Sequence, residues 1–250
     1  MDNVLAKRVF ACIDNTTLSS TDTNDSVAAF CRHTRTLCLD GNVHVAGVCV
    51  YPRFVDTAAA ALKGSGIRVV SVAGGFPHGQ MLQSAALEEV EGVCRNGADE
   101  VDIVMNRGMV LAGRYDEAAD EIAKVKAIVG ERTLKVILEV CDLPTAEMVS
   151  AAAQVAIDGG ADFIKTSTGK GASGATLKAA EIMLNCIKEN VKKGKKTVGF
   201  KAAGGIRKPE EALLYAELAR KIMGDEYINS QTFRIGASSL TDGLYSLLTK

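Results

Sequence analysis

Lys165 ends a short apolar run, Ala161-Asp162-Phe163-Ile164-Lys165, and is followed at once by Thr166-Ser167-Thr168-Gly169-Lys170-Gly171. In an extended strand Phe163 and Lys165 share one face, Asp162 and Ile164 the other. A lysine delivered by a buried strand into hydroxyls and glycines suits amine chemistry, with open backbone N–H groups nearby for an anionic substrate group. The competing reading is a strand that ends in a solvated lysine. A second lysine, Lys201, ends the run Val198-Gly199-Phe200-Lys201, and Asp102 lies within Glu100-Val101-Asp102-Ile103-Val104. If these three meet, Lys201 is the neighbouring cation that activates an amine nucleophile. Two charges ~4 Å apart at an effective dielectric of about 20 repel by roughly 4 kcal/mol, or about three pKa units. That moves a lysine from ~10.4 toward ~7.4, where a useful fraction of free amine can attack a carbonyl and form a Schiff base. Asp102 would hold one ammonium and relay protons. The rival is a buried Lys–Asp–Lys ion network with no chemistry.

Such side chains need strands to aim them. Apolar β-type runs lie near 9–13, 43–50, 67–72, 100–105, 133–140, 162–165, 197–201 and 232–235. Amphipathic helical stretches at 26–37, 53–63, 81–96, 115–129, 144–159, 175–190, 208–223 and 238–248 alternate with them. Asp56, Ser84 and Thr145 sit near helix starts, and Gly64, Gly97 and Gly130 follow helix ends. Eight alternating βα units predict an α/β fold, a single (β/α)8 TIM barrel over residues 1–250. An open doubly wound sheet is disfavoured, because no Gly-x-Gly-x-x-Gly follows the first strand and Gly169-Lys170 lacks P-loop spacing.

In a barrel of this kind the active site lies at the C-terminal ends of the strands. Asp14-Asn15-Thr16-Thr17, Asp102, Glu139, Lys165 and Lys201 all fall there. Strand parity puts Asp102 with Val104 and Gly199 with Lys201 on faces whose opposites are apolar, so the polar set points inward. Lys135 also alternates inward but lies near the start of its strand, which suggests a structural salt link toward the floor. Gly169-Lys170-Gly171, Gly204-Gly205-Ile206-Arg207 and Gly236-Ala237-Ser238-Ser239 follow the sixth, seventh and eighth strands. Loops seven and eight with a helix N-terminus form the recurrent phosphate site of such barrels, to which Arg207 or Lys170 would add charge. Each glycine pair alone would be only a tight turn.

Composition narrows the partners. The chain is 47% hydrophobic and 24% charged with a net charge of −1, which gives no reason to expect nucleic acid or a membrane surface. No apolar run approaches the ~20 residues that span a bilayer, and no signal core follows Asp2. Seven cysteines, odd in number and never spaced Cys-x-x-Cys, read as reduced thiols of a cytoplasmic protein. Three histidines without metal-ligand spacing argue against a metal site.

Several segments together resemble the deoxyribose-phosphate aldolases, class I Schiff-base aldolases. They are Ile13-Asp14-Asn15-Thr16-Thr17-Leu18, Val48-Cys49-Val50-Tyr51-Pro52-Arg53, Gly75-Phe76-Pro77-His78-Gly79 and Gly97-Ala98-Asp99-Glu100-Val101-Asp102. The run 161–169, the run 199–207 and Arg234-Ile235-Gly236-Ala237-Ser238-Ser239 complete the match, which extends almost end to end. The resemblance implies a (β/α)8 fold, no cofactor, and reversible cleavage of 2-deoxy-D-ribose 5-phosphate to D-glyceraldehyde 3-phosphate and acetaldehyde. It implies that Lys165 forms the imine, Lys201 lowers its pKa, Asp102 is the acid/base residue, and Asp14 supports the lysines. Thr168, Gly169, Lys170, Gly204, Gly205, Arg207, Gly236, Ser238 and Ser239 would hold the substrate and its phosphate. A homodimer is compatible with it. Another Schiff-base sugar-phosphate aldolase and a catalytically inert sugar-phosphate binder are the alternatives.

There are departures from the family pattern. Ala202 stands where many members have proline, which alters loop stiffness without removing a functional group. The role of Met105-Asn106-Arg107 is open. Tyr245 lies inside the last helix, so the terminal-tyrosine role of some members is not assigned to it. Cys49 occupies a position that is a reactive cysteine in some members, but a small core residue fits it better. His78 reads as a loop-shaping residue.

Overall fold

The computed structural model describes residues 2–250. They form eight strands: β1 (Ile13–Thr16), β2 (Gly47–Val50), β3 (Arg68–Ala73), β4 (Glu100–Val104), β5 (Thr133–Ile137), β6 (Phe163–Lys165), β7 (Gly199–Ala203) and β8 (Phe233–Ala237). Each pairs in parallel with the next in sequence order, and β8 closes onto β1, Asp14 beside Gly236. Ten helices accompany them: α1 (Asn3–Phe10), α2 (Asn24–Thr36), α3 (Val55–Leu62), α4 (Gln83–Arg95), α5 (Arg107–Leu111), α6 (Tyr115–Val129), α7 (Ala146–Asp158), α8 (Leu177–Lys192), α9 (Pro209–Met223) and α10 (Leu240–Leu248). The chain is therefore a (β/α)8 barrel. Among the described residues no helix is long and apolar enough to cross a membrane.

The strands sort their side chains by parity. Val48, Val101, Ile103, Leu134, Val136, Ile164, Phe200 and Ile235 are buried in the main hydrophobic cluster outside the barrel wall. The alternate positions face the barrel axis. On β4 to β8 and β1 these include the charged Glu100, Asp102, Lys135, Lys165, Lys201, Arg234 and Asp14, with Phe163 against the small Gly199. On β2 and β3 they are Cys49, Val70 and Val72, which pack with Leu18, Tyr51 and Phe76 into a small apolar cluster of their own. The interior thus has one ionic sector and one apolar sector.

The run 9–13, expected to be the first strand, is overturned: Val9 and Phe10 end α1, and the strand begins at Ile13. A five-residue apolar run does not distinguish helix from strand. Asp2 decides locally, its side chain accepting the N–H groups of Val4 and Leu5 as an N-cap. Leu5, Ala6, Val9 and Phe10 are then buried together on one face. Of the residues read near helix starts, Thr145 caps α7 through the Met148 N–H, whereas Asp56 and Ser84 lie inside the first turns of α3 and α4.

The floor is fitted by size. Phe163 lies opposite Gly199 in the β6–β7 register, and a Cβ on Gly199 would run into the Phe163 ring. The Arg234 guanidinium lies over that ring, 5.6 Å from its centre. Gly199→Ala should therefore destabilise the barrel by about 1–3 kcal/mol through overpacking. A lowered urea midpoint at unchanged m-value is the expected result, and an unchanged midpoint would show that the ring moves aside freely.

Candidate active site

Asp14, Asp102, Lys135, Lys165 and Lys201 converge inside the barrel, each no more than 4% exposed. One carboxylate organises them. Asp102 Oδ2 accepts hydrogen bonds from Lys165 Nζ and Lys201 Nζ, both at 2.8 Å, and its Oδ1 accepts from Lys135 Nζ at 2.8 Å. The register explains the meeting: Asp102 lies beside Lys135 on the β4–β5 pair, and Lys165 beside Lys201 on β6–β7. Lys201 Nζ donates also to Asp14 Oδ2 at 2.5 Å. Lys135 is the salt link that its position suggested, 2.6 Å from Glu100 Oε2, yet it reaches up to Asp102 as well as down to the floor.

Two members of the network escaped the reading of the sequence. Glu100 and Arg234 are fully buried and paired, Arg234 Nη2 donating to Glu100 Oε1 at 2.7 Å and Nη1 to Asp14 Oδ1 at 2.5 Å. Parity would have found both, because Glu100 precedes Asp102 by two residues and Arg234 precedes Gly236 by two.

The electrostatics follow from who touches whom. Among the described residues, Lys165 is the one buried cation of this network in contact with a single carboxylate; Lys135, Lys201 and Arg234 touch two or three each. Burial pushes the Lys165 ammonium below its ordinary range; Asp102 resists the fall and the Lys201 charge deepens it. Burial acts on Lys201 in the same direction, but Asp102 and Asp14 outweigh it and hold that ammonium above the usual lysine value. Burial is thus the larger cause at Lys165, and the repulsion expected from Lys201 adds to it. Asp102 is held well below the ordinary carboxylate range because Lys135, Lys165 and Lys201 overcome its burial.

Lys165 opens into a cleft of about 450 Å³. Thr168, Gly169, Lys170, Gly204, Gly205, Arg207, Gly236 and Ser238 line it together with Thr16, Thr17 and Leu18. Ser239 falls just outside, at the N-cap of α10. Gly236, Ala237 and Ser238, which lead into α10, line the cleft, and an uncapped helix start beside it suits an anion. Lys170 spans the mouth, its Nζ donating to the Leu18 carbonyl at 2.6 Å.

Glu139 holds the loop that follows Lys165. Its strand stops at Ile137, so the inward alternation expected through residue 140 ends early, and Glu139 takes a left-handed backbone conformation with φ 52°. Its carboxylate accepts the Thr168 N–H at 3.2 Å and the Thr168 hydroxyl, which in turn accepts the Lys170 N–H at 3.0 Å. Such a backbone state costs of order 1–3 kcal/mol in a non-glycine residue and persists where surrounding contacts demand it.

The remaining candidates stand apart from this chemistry. Cys49 is buried against Leu18, Val70 and Val72, and burial pushes its thiol up to about 11, as befits a packing residue. His78 is exposed, its carbonyl accepting from Arg107 Nη2. Arg107 also pairs with Asp142 at 3.1 Å, tying the loops after β3, β4 and β5 together. Tyr245 packs on Phe10 within α10 and does not line the cleft.

A family model described as DeoC/LacD family aldolase matches residues 8–242. The chain belongs to this aldolase family. It is 41% identical over 240 residues to the deoxyribose-phosphate aldolase of Homo sapiens, a match covering 91% of this chain and 76% of that protein. To the Mus musculus deoxyribose-phosphate aldolase it is 42% identical with the same coverage. The apo form of a protein from Toxoplasma gondii ME49 superposes with a TM-score of 0.88 at 26% identity, covering 99% of this chain and 97% of that one. The tetrameric deoxyribose phosphate aldolase of Aeropyrum pernix has a TM-score of 0.74 at 25% identity, over 98% and 91% of the two chains. The aldolase family thus shares the fold over nearly the whole length, including every strand that supplies a buried charge.

Asp14 gives this site a testable acid dependence. Burial raises its pKa, but Lys201, Arg234 and Lys135 more than reverse that and hold it far below the ordinary value. A depressed carboxylate adds stability that is complete above its unfolded pKa of ~3.9 and is lost as pH falls toward the folded value. Asp14→Asn should cost about 3–5 kcal/mol at pH 7, because three cations lose a partner. The gap to the wild type should narrow by about 1 kcal/mol between pH 5 and pH 3 in urea unfolding. A gap independent of pH would contradict the ionised state of Asp14.

Proposed function

We propose that this chain acts as one catalytic domain, cleaving 2-deoxy-D-ribose 5-phosphate reversibly to D-glyceraldehyde 3-phosphate and acetaldehyde through a Schiff base on Lys165. The single observation that supports it most is the under-compensated Lys165 amine, paired to one carboxylate and opening onto a glycine-lined anion cleft. The 41% identity to the human deoxyribose-phosphate aldolase supports the substrate.

The residues serve the steps as follows. The free amine of Lys165 attacks C1 of the open-chain sugar, and loss of water leaves a protonated imine that withdraws electrons from C2. Asp102, ionised and 2.8 Å from the amine, is the acceptor that takes the C3 hydroxyl proton by way of a water. The C2–C3 bond then breaks, the aldehyde of glyceraldehyde 3-phosphate departs, and its electron pair remains as an enamine on Lys165. Protonation at C2 and hydrolysis release acetaldehyde and restore the amine. Lys201 keeps its own proton throughout and biases Lys165 toward the free base. Asp14 holds Lys201 in place. The phosphate lies against Gly204, Gly205, Gly236, Ser238 and the start of α10 near Ser239, with Arg207 and Lys170 adding charge and Thr168 and Gly169 framing the sugar. No step requires a metal or organic cofactor.

We further infer a cytoplasmic location, which the seven free thiols support. Self-association as a homodimer is part of the same reading, supported by the exposed apolar side chains of Met81 and Leu82 and by the tetrameric Aeropyrum pernix relative.

Borohydride trapping with 2-deoxyribose 5-phosphate, followed by peptide mass mapping, should find the reduced adduct on Lys165. An adduct on Lys201 or Lys135 would reassign the nucleophile, and no adduct with retained sugar-phosphate binding would leave an inert binder. Lys201→Leu removes a cation beside the amine, so the pKa of Lys165 rises. The acidic limb of kcat/KM should move up by about one to two pH units as the rate falls. An unmoved limb would sink the role given to Lys201.

A further inference from the structure

Beneath the reactive tier lies a second one that the steps above leave unused. Glu100 stands two residues before Asp102 on the inner face of β4, about 7 Å lower along the strand. Arg234 stands on β8, its backbone in register with Lys201, and its side chain reaches Glu100. Its guanidinium holds Glu100 through both Nη atoms, at 2.7 and 3.2 Å. Glu100 accepts Lys135 at 2.6 Å, and Lys135 reaches Asp102 at 2.8 Å. Ion pairs therefore run unbroken from the floor to the carboxylate that holds Lys165. Arg68, 3.5 Å from Glu100 and 40% exposed, meets solvent at the lower end, where water screens its charge.

An apolar plug would fill this space as well, and a buried ion pair is seldom more stabilising than apolar groups of similar volume. What an apolar plug could not do is count charge. The array holds three carboxylates (Asp14, Glu100, Asp102) and four cations (Lys135, Lys165, Lys201, Arg234), all buried. Its sum is +1 with Lys165 protonated and zero with the amine free. Loss of Glu100 alone raises both sums by one, loss of Arg234 alone lowers both by one, and loss of the pair changes neither. Lys165 itself is faced by Asp102 from β4, Lys201 from β7 and the Cys49 thiol from β2, with Lys135 of β5 and Asp14 of β1 one contact further away.

We propose that Glu100 and Arg234 are positioning residues for the amine chemistry, an opposed pair on the barrel floor that sets the net charge against which the Lys165 ammonium gives up its proton. The inference rests on Lys165 as the nucleophile. At an effective dielectric of ~20, a unit charge about 10 Å away shifts a pKa by roughly one unit.

The test is the pH dependence of kcat/KM for the wild type, Glu100→Gln, Arg234→Met and the double variant, since this profile reports the free enzyme. Glu100→Gln should move the acidic limb down by about one pH unit and Arg234→Met should move it up by about one. The double variant should return it to within a few tenths of the wild-type position. A purely structural pair would lower stability and rate in all three without moving the limb in opposite directions, so coincident limbs overturn the inference. Should one single variant fail to fold, the other still decides: a limb displaced by about one pH unit in its expected direction supports the inference, and an unmoved limb overturns it. Borohydride trapping of the wild type separates the two levels. A missing Lys165 adduct removes the nucleophile reading, whereas an adduct with coincident limbs removes only the role of the floor.

Discussion

Seven ionisable side chains share the axis of this barrel almost without solvent, and their charges do not balance while every one is ionised. Carboxylates and ammonium groups buried in a protein must be matched or must lose their charge. Asp14, Glu100 and Asp102 are each touched by three cations, so the carboxylates are well matched. The surplus falls on the cation with the fewest partners, which is Lys165. Reactivity here follows from a shortage of counter-charge at one position and does not need an unusual side chain.

The fold makes that shortage reproducible. Parallel pairing in strict order fixes which residues of neighbouring strands lie level, so Asp102 meets Lys135 and Lys165 meets Lys201 without help from any loop. The helices take the apolar faces of the strands, and this leaves the inner faces free to be polar. Gly47 and Gly199 give up their side chains where Val70 and Phe163 need room. Loop residues then add what strands cannot supply. Glu139 braces the turn that bears Thr168 and Lys170, and the residues that lead into α10 line the cleft.

Much of this was legible from residue type and spacing. The alternation of strands with helices gave the barrel, and period-two parity put Lys165, Lys201 and Asp102 on inner faces. What parity could not reveal was the strength of each contact. Lys135 was legible as a floor link, but its hold on Asp102 comes from the β4–β5 register, which sets the two side by side. Glu100 and Arg234 carry the same inward signal and were passed over because they lie below the strand ends where chemistry is sought. The run at 9–13 failed for a different reason: Phe10 is equally at home in a helix or a strand, and the Asp2 cap, outside the apolar run, settles the matter. Glu139 was read as inward on its strand, but the strand stops at Ile137; its carboxylate holds Thr168, 29 residues on, and its left-handed backbone leaves no local mark. The placement of Ser239 just outside the cleft likewise depends on where α10 begins.

Phe163, fitted against Gly199 and covered by Arg234, gives the barrel a stopper. The reactive tier faces the cleft above it, lined by the glycine loops where a sugar phosphate would enter. The charged groups stand on β4 to β8 and β1, and the apolar sector on β2 and β3 offers a proton no resting place. A proton moved at Lys165 therefore has partners along one side of the vessel.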